Sequence, residues 1–397
     1  MKNIYKSLII CTLVALLSVC ATNTAWAGNR DRSGQAGASH LLIDPWARTN
    51  GMANAGVAEV RGLESVFSNV AGLTYITKTQ FAFNRTQYLV GSNCGININA
   101  LAFAQHLGKE RDFGTIAISF STMGFGQIPV TTVSQPEGGL GTFSPSLSVI
   151  GIHYAKSFNN FIKGGISLKI INESIADLHA TGFALDAGIQ YITGAFEQFK
   201  IGVTLKNIGL PMSYKGDGLT NRGVISNTNV EQSLNVRSAE FEMPSLLVIG
   251  VSYDFLWFGG QYASMTKDER KAEGLTREDA MHRLTLCGAF TANSYSRDIF
   301  SVGIEYGFMQ YFMVRAGYGL ENVGKKTSTE INENGQEEVV KRLLWNSDSF
   351  FSGPSVGATA VIPLKKGNTG SRIYIDYAYR FTSKWRGNHV MGIKFTL

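Results

Sequence analysis

The sequence predicts an all-β protein, a transmembrane antiparallel β-barrel of about fourteen strands, with sixteen as the alternative. Three observations lead there. Successive segments alternate apolar and polar side chains over roughly 9–11 residues, the length a tilted strand needs to cross hydrocarbon. Aromatic residues gather toward segment ends (Tyr191, Tyr253, Phe255, Trp257, Tyr306, Tyr311, Tyr318, Phe381, Trp385), as interfacial girdles require. Beyond the N-terminus, no stretch reaches the ~18 consecutive apolar residues of a spanning helix.

Composition points the same way. Of 397 residues, 44 are glycine, 24 phenylalanine and 15 tyrosine, while 8 are proline and 17% are charged, which excludes a disordered or proline-rich chain. Residues 1–27 read as a secretory signal peptide: Lys2 and Lys6 form its positive end, Leu8 to Val19 its apolar stretch, and Ala25-Trp26-Ala27 its cleavage site. Leu17-Ser18-Val19-Cys20 loosely resembles a lipidation box, with valine a poor fit before the cysteine. Cleavage after Ala27 removes two lysines and no acids, taking the formal charge from +6 to +4, too mild to imply nucleic acid. Cys94 and Cys287 then remain, and are read as unpaired residues filling small sites, with one disulfide as the alternative.

Alternation holds one phase in each of five segments. Ile162, Ile166, Leu168 and Ile170 oppose Lys163, Ser167 and Lys169. Phe183, Leu185, Ile189 and Tyr191 oppose Asp186 and Gln190. Phe199, Ile201, Val203 and Leu205 oppose Lys200, Thr204 and Lys206. Phe300, Val302, Ile304 and Tyr306 oppose Ser301 and Glu305, and Ile373, Ile375, Tyr377, Tyr379 and Phe381 oppose Arg372, Asp376 and Arg380. An unpaired amide in hydrocarbon costs several kcal/mol, so such a sheet must close on itself. The terminal segment suits closure, with His389, Met391, Ile393, Phe395 and Leu397 on one face. Fifteen candidate strands can be drawn, one of them at 257–266, yet single-chain barrels have an even number. The conflict falls in 257–319. Residues 124–145, 208–243 and 320–353 read as cell-surface loops, and 192–198 and 364–370 as periplasmic turns. Asn332-Glu333-Asn334-Gly335 reads as a surface turn in preference to a calcium loop.

Residues 28–77 precede the barrel proper, which takes 78–397. The stretch 38–77 does not alternate, and its small residues suit a plug-like piece held against or inside the barrel, the alternative being a periplasmic tail. Its candidate functional residues are Asp44, Arg48, Asn54 and Asn69. Inward-phase charges Asp186, Glu305, Arg315, Arg372, Asp376 and Arg380 either line a pore or form ion pairs that stiffen a plugged barrel. No His-Glu-x-x-His, Gly-x-Ser-x-Gly, phosphate loop or Cys-x-x-Cys occurs, and the six histidines are scattered singly. The chain therefore reads as a non-enzyme without metal or cofactor.

Asp44-Pro45-Trp46-Ala47-Arg48, followed by Gly51-Met52-Ala53-Asn54-Ala55-Gly56, resembles the opening of the PorV/PorQ family, within the wider FadL-like group of long-chain fatty acid transporter barrels. That group typically continues with Asn-Pro-Ala-Gly-Leu, and Asn69-Val70-Ala71-Gly72-Leu73 departs from it at Val70. Leu205-Lys206-Asn207-Ile208-Gly209, Gly303-Ile304-Glu305-Tyr306, Val314-Arg315-Ala316-Gly317-Tyr318 and the ending from Asn388 extend the resemblance over nearly the whole mature chain. The resemblance implies a non-catalytic outer-membrane member of the type IX secretion system. Its partners would be outer-membrane lipid, the C-terminal domains of secreted cargo, the translocon and a PorU-like attachment complex, with cargo docking on loops 208–243 and 320–353. The alternative is a FadL-like transporter of hydrophobic solutes, with 38–77 plugging the lumen and a lateral exit through the wall.

Overall fold

The computed structural model describes residues 29–397 except 91–94, 109–112, 225–230, 332–336, 346–348, 350, 365–370 and 383–385. The predicted signal peptide, Cys94, Trp385 and the predicted surface turn at Asn332–Gly335 thus lie outside the described residues. Fourteen strands form the wall: β1 (Thr79–Gln87), β2 (Asn97–His106), β3 (Thr115–Gly124), β4 (Ser146–Ser157), β5 (Ile162–Ile175), β6 (Leu178–Thr193) and β7 (Phe199–Gly209), then β8 (Leu246–Trp257), β9 (His282–Asn293), β10 (Ile299–Phe308), β11 (Phe312–Ile331), β12 (Gly353–Pro363), β13 (Arg372–Arg380) and β14 (Asn388–Thr396). Each pairs antiparallel with the next, and β14 returns to β1 with Phe395 opposite Phe81, so the wall has no free edge.

The predicted strand at 257–266 is absent. β8 continues through Trp257, and 258–281 form a connector with a short helix, Lys267–Ala272, whose start is fixed by the reciprocal Thr266–Glu269 capping box. This restores an even count and puts the three long loops after β3, β7 and β11 at one end, here the outer one, with 258–281 as the long connection of the other end. The inner end carries 158–161, 194–198, 309–311 and the 258–281 connector, with the chain's entry to β1 and its C-terminus. At the outer end β11 runs on past the wall as a ribbon paired with Glu337–Trp345, and Thr220–Val224 pairs with Glu231–Asn235 as a separate hairpin.

Alternation puts side chains such as Ile118, Ile166, Leu185 and Val302 on the outside, each more than half exposed (58%, 61%, 56% and 59%). Tyr191, Trp257, Tyr306 and Tyr311 ring the inner end, and Tyr318 and Phe381 stand at the outer one. A continuous apolar band between aromatic rims is the surface a barrel presents to lipid. Among the described residues no helix is long and apolar enough to cross a membrane. Strands do the crossing.

Residues 29–78 enter the lumen as short helical turns, among them Ala47–Asn50, Leu63–Phe67 and Val70–Tyr75. Trp46, Leu63, Val66, Val70, Leu73 and Ile76 pack against inward alanines of β1 to β4 (Ala82, Ala102, Ala104, Ala117, Ala155). Small wall residues are needed because the segment's main chain comes close. At Gly202 on β7 an added Cβ would lie 2.7 Å from Ala58 Cα, and at Gly317 on β11 it would lie 2.4 Å from the carbonyl carbon of Met52. Cys287, a buried free thiol, fills a small site beside Met52 and Ala55.

Candidate functional site

The segment is tied to the wall by buried charge. Glu59, fully buried, accepts from Lys200 Nζ (2.6 Å) on β7 and from Arg277 Nη1 (2.6 Å) of the inner connector. The same two cations hold Asp254 of β8, at 2.6 Å from Lys200 and 3.2 Å from Arg277, and Thr285 donates to its other oxygen at 2.5 Å. Burial alone would raise the Glu59 carboxyl; Arg277 and Lys200 more than reverse that, and hold it below the ordinary carboxylate range. Beside it, Glu305 of β10 receives Arg283 and Arg315 (both 2.6 Å) and Arg48 of the segment (3.4 Å). Arg315 also reaches Thr359 (2.6 Å), which bonds Asp376, and Lys394 of β14 pairs with Glu64.

Two spaces flank this layer. Toward the outer end is a chamber of about 70 Å³ between segment and wall. Leu42, Val57, Phe67, Leu246, Val248 and Ile299 supply most of its apolar lining, and Asp44, Lys206 and Arg380 supply its charges. Toward the inner end is a vestibule of about 290 Å³ with six cationic side chains in its lining.

Of the ten residues singled out in the sequence, Arg48, Glu305, Arg315 and Asp376 meet in one ion-pair network. Asp44, Asn54 and Arg380 line the outer chamber, and Arg372 the inner vestibule. Asn69 and Asp186 have separate structural work. Asn69 caps the turn Val70–Tyr75 by accepting from Ala71 N (3.2 Å), and donates to Val57 O (3.2 Å) and Ile189 O (3.1 Å), stitching two stretches of the segment to β6. Asp186 sits where β6 and β7 slip register, with Lys206 and Asn207 opposite a single residue. The bulge leaves Asn207 N without a ladder partner, and the Asp186 carboxylate accepts from it at 2.8 Å while also pairing with Lys169.

Asp44 carries a pH dependence. Its carboxylate accepts from Trp46 N at 2.9 Å, yet burial pushes its pKa up to about 6 against the pull of Lys206. The folded value exceeds the ordinary ~4, so the folded state binds the proton more tightly. That contribution is complete below about pH 4 and is lost as pH rises through about 6. The segment is therefore expected to melt at a lower temperature at pH 7.5 than at pH 5, read from Trp46 fluorescence. Asp44→Asn, which keeps an acceptor for Trp46 N, should flatten the difference; an unchanged pH profile in that variant would refute the assignment.

Sequence reading missed Glu59, Lys200, Asp254, Arg277, Arg283, Glu64 and Lys394 as site residues. It also missed that Ser119 Oγ lies 2.8 Å from His153 Nε2, whose Nδ1 faces Ser167 Oγ at 2.7 Å. Ser119 and His153 are 3% and 2% exposed, so this pairing is closed to a substrate. Among the described residues no three His, Cys, Asp or Glu gather as a metal site.

No family model and no curated protein matches the chain. Among solved structures it is similar to the Ralstonia pickettii toluene transporter TbuX, at 12% identity over 89% of this chain and 99% of that one, with a TM-score of 0.48. It is likewise similar to the Pseudomonas putida toluene transporter TodX (10% identity, 89% and 97%, TM-score 0.48) and to a Pseudomonas aeruginosa FadL homologue (11% identity, 88% and 95%, TM-score 0.44). At these identities and scores the likeness bears on neither substrate nor partner.

Proposed function

We propose that the chain is an outer-membrane barrel that admits small hydrophobic solutes through its outer chamber, with residues 29–78 as the gate. The chamber carries this reading: eight apolar side chains share its lining with six neutral polar ones and three charges, a mixture of apolar wall and placed polar groups as at a small-molecule site. A solute seated there contacts Leu42, Val57 and Phe67 of the gate and Leu246, Val248 and Ile299 of the wall, so it competes with the contacts that hold the gate shut. The β6–β7 bulge, where the ladder is interrupted, adjoins the same chamber through Thr204 and Lys206, and is the stretch of wall this reading assigns to lateral exit. Cells carrying the barrel are expected to take up radiolabelled toluene or laurate faster than cells without it. Val248→Trp, which fills the chamber, should cut that gain several-fold at equal amounts of folded barrel. Equal uptake with and without the barrel would overturn the reading.

A second reading has its own observation. The ribbon made by the β11 extension and Glu337–Trp345 projects beyond the wall, and neither of its edges is paired among the described residues. An exposed strand edge accepts another strand, which fits docking of a secreted β-domain in the type IX secretion role that the sequence resemblance implies. Affinity purification from native membranes distinguishes the two. Cargo that is lost on trimming 322–345 supports the secretion role, and lipid or hydrocarbon in the chamber without cargo supports transport.

A further inference from the structure

We infer that the inner vestibule is a binding site for a small solute bearing a phosphate or carboxylate group, reached from the inner side of the barrel. It is a separate site from the outer chamber and does not rest on the transport reading. Six cationic side chains line it: Arg48 and Arg61 of the N-terminal segment, Arg277 of the connector, Arg283 of β9, Arg372 of β13 and Lys394 of β14. Glu278 is the only carboxylate residue in that lining. The acids that hold the cations stand behind them. Glu59 and Glu305, fully buried, fix Arg48, Arg277 and Arg283, and Glu64 fixes Lys394. Arg61 is held by Glu197 at 3.3 Å and lies over the Tyr75 ring, 3.9 Å from its centroid. Arg372 alone of the six has no acid within 4 Å among the described residues, so the vestibule's surplus charge sits there.

The second observation is chemical. Besides Arg277 Nε, which keeps Asp254 at 3.2 Å, five buried polar atoms on this lining have no hydrogen-bond partner among the described residues: Tyr75 Oη, Thr396 Oγ1 and the Nε of Arg48, Arg61 and Arg283. All five can donate, and the guanidinium Nε groups can do nothing else. Arg283 is 7% exposed, so its Nε–H has no bulk water to turn to. Buried donors without acceptors are costly, and here they converge on one cavity. The ligand that repairs them is an acceptor with negative charge. Phosphate and carboxylate match the planar guanidinium fork, and cations already fixed by buried acids lose little freedom on binding. The one orphaned acceptor nearby, Glu64 Oε2, lies close to Gly62 on the Lys394 side. That directs the anion toward Arg372, Arg283 and Tyr75. Such a ligand touches both segment and wall, and would brace the segment in place.

Inorganic phosphate and, separately, succinate are titrated calorimetrically into the full mature barrel in detergent, at fixed ionic strength in chloride. The expected result is saturable one-to-one binding of at least one of them, which also tells phosphate from carboxylate. Arg372→Gln should weaken it about tenfold, as loss of one charged hydrogen-bonding group does. Tyr75→Phe, which deletes one hydroxyl and no packing, should weaken it by a smaller factor. Arg237→Gln, on the exposed outer loop, should leave it unchanged. No saturable binding of either anion, or equal losses in the Arg372 and Arg237 variants, would overturn the inference. Should Arg372→Gln fail to give the folded, heat-modifiable barrel, the Tyr75→Phe comparison decides by itself.

Discussion

Glutamine in place of Glu59 is expected to unseat the N-terminal segment, at a cost of about 3–5 kcal/mol, the range found when one partner of a buried ion group is removed. Lys200 and Arg277 would be left with Asp254 alone, and the new amide would turn its NH2 toward one of two groups that can only donate. Neither cation can retreat to water: Lys200 is fully buried and Arg277 nearly so. The loss should appear as early melting of Trp46 fluorescence while the wall persists, and as ion conductance in planar bilayers where the parent barrel conducts little. Replacing the cation as well, in Glu59→Gln with Lys200→Met, should recover part of the loss, because the unpaired charge and not the missing bond is the main cost. A Glu59→Gln barrel with the parent's melting and conductance would show that the segment is held by packing instead.

The alternating phases were legible because each strand carries its pattern within ten or so residues of local sequence. Lys200 and Glu305 could be placed on the inward face that way. Their partners could not, because a phase says which face a charge takes and nothing of what it meets there. Lys200 finds Glu59 across 141 residues, Arg277 finds the same carboxylate across 218, and Lys394 finds Glu64 across 330. Such pairs exist only once the barrel closes around the segment. The extra strand at 257–266 has a local cause. Tyr253, Phe255 and Trp257 end β8 with strong alternation, and the aromatic and glycine residues just beyond prolong the pattern. Thr266 then caps a helix start whose capping box, Thr266 and Glu269, was there to be read. Motif resemblance drew attention to Asp44, Arg48, Asn54 and Asn69. Glu59 lies outside the quoted motifs, on a stretch with no alternation to give it a face.

Leucine at Gly317 should displace the segment as effectively as the loss of Glu59, by a different force. The added Cβ would stand 2.4 Å from the carbonyl carbon of Met52, 2.7 Å from its oxygen and 2.8 Å from Ala53 N. These are main-chain atoms of the segment, so no rotamer change relieves the clash. Overpacking in a core costs about 1–3 kcal/mol where side chains can adjust, and the upper end or more is expected where backbone must move. The neighbouring positions give no slack: a Cβ added at Gly303 would lie 3.0 Å from Met52 Cβ, and one added at Gly357 would lie 3.1 Å from Gly51 Cα, so the segment is closely packed against β10 to β12. Gly317→Leu is thus expected to raise conductance and lower the melting point of Trp46 fluorescence, with the wall's own heat-modifiable shift retained. Gly288→Ala is the matched control, since a Cβ there meets nothing within 4 Å and tests only the change of backbone propensity in a strand. If both substitutions behave alike, close approach is not what seats the segment. If Gly317→Leu alone opens the lumen while the Glu59–Lys200 pair is intact, then charge fixes where the segment sits, and the glycines let it come near enough for that charge to act.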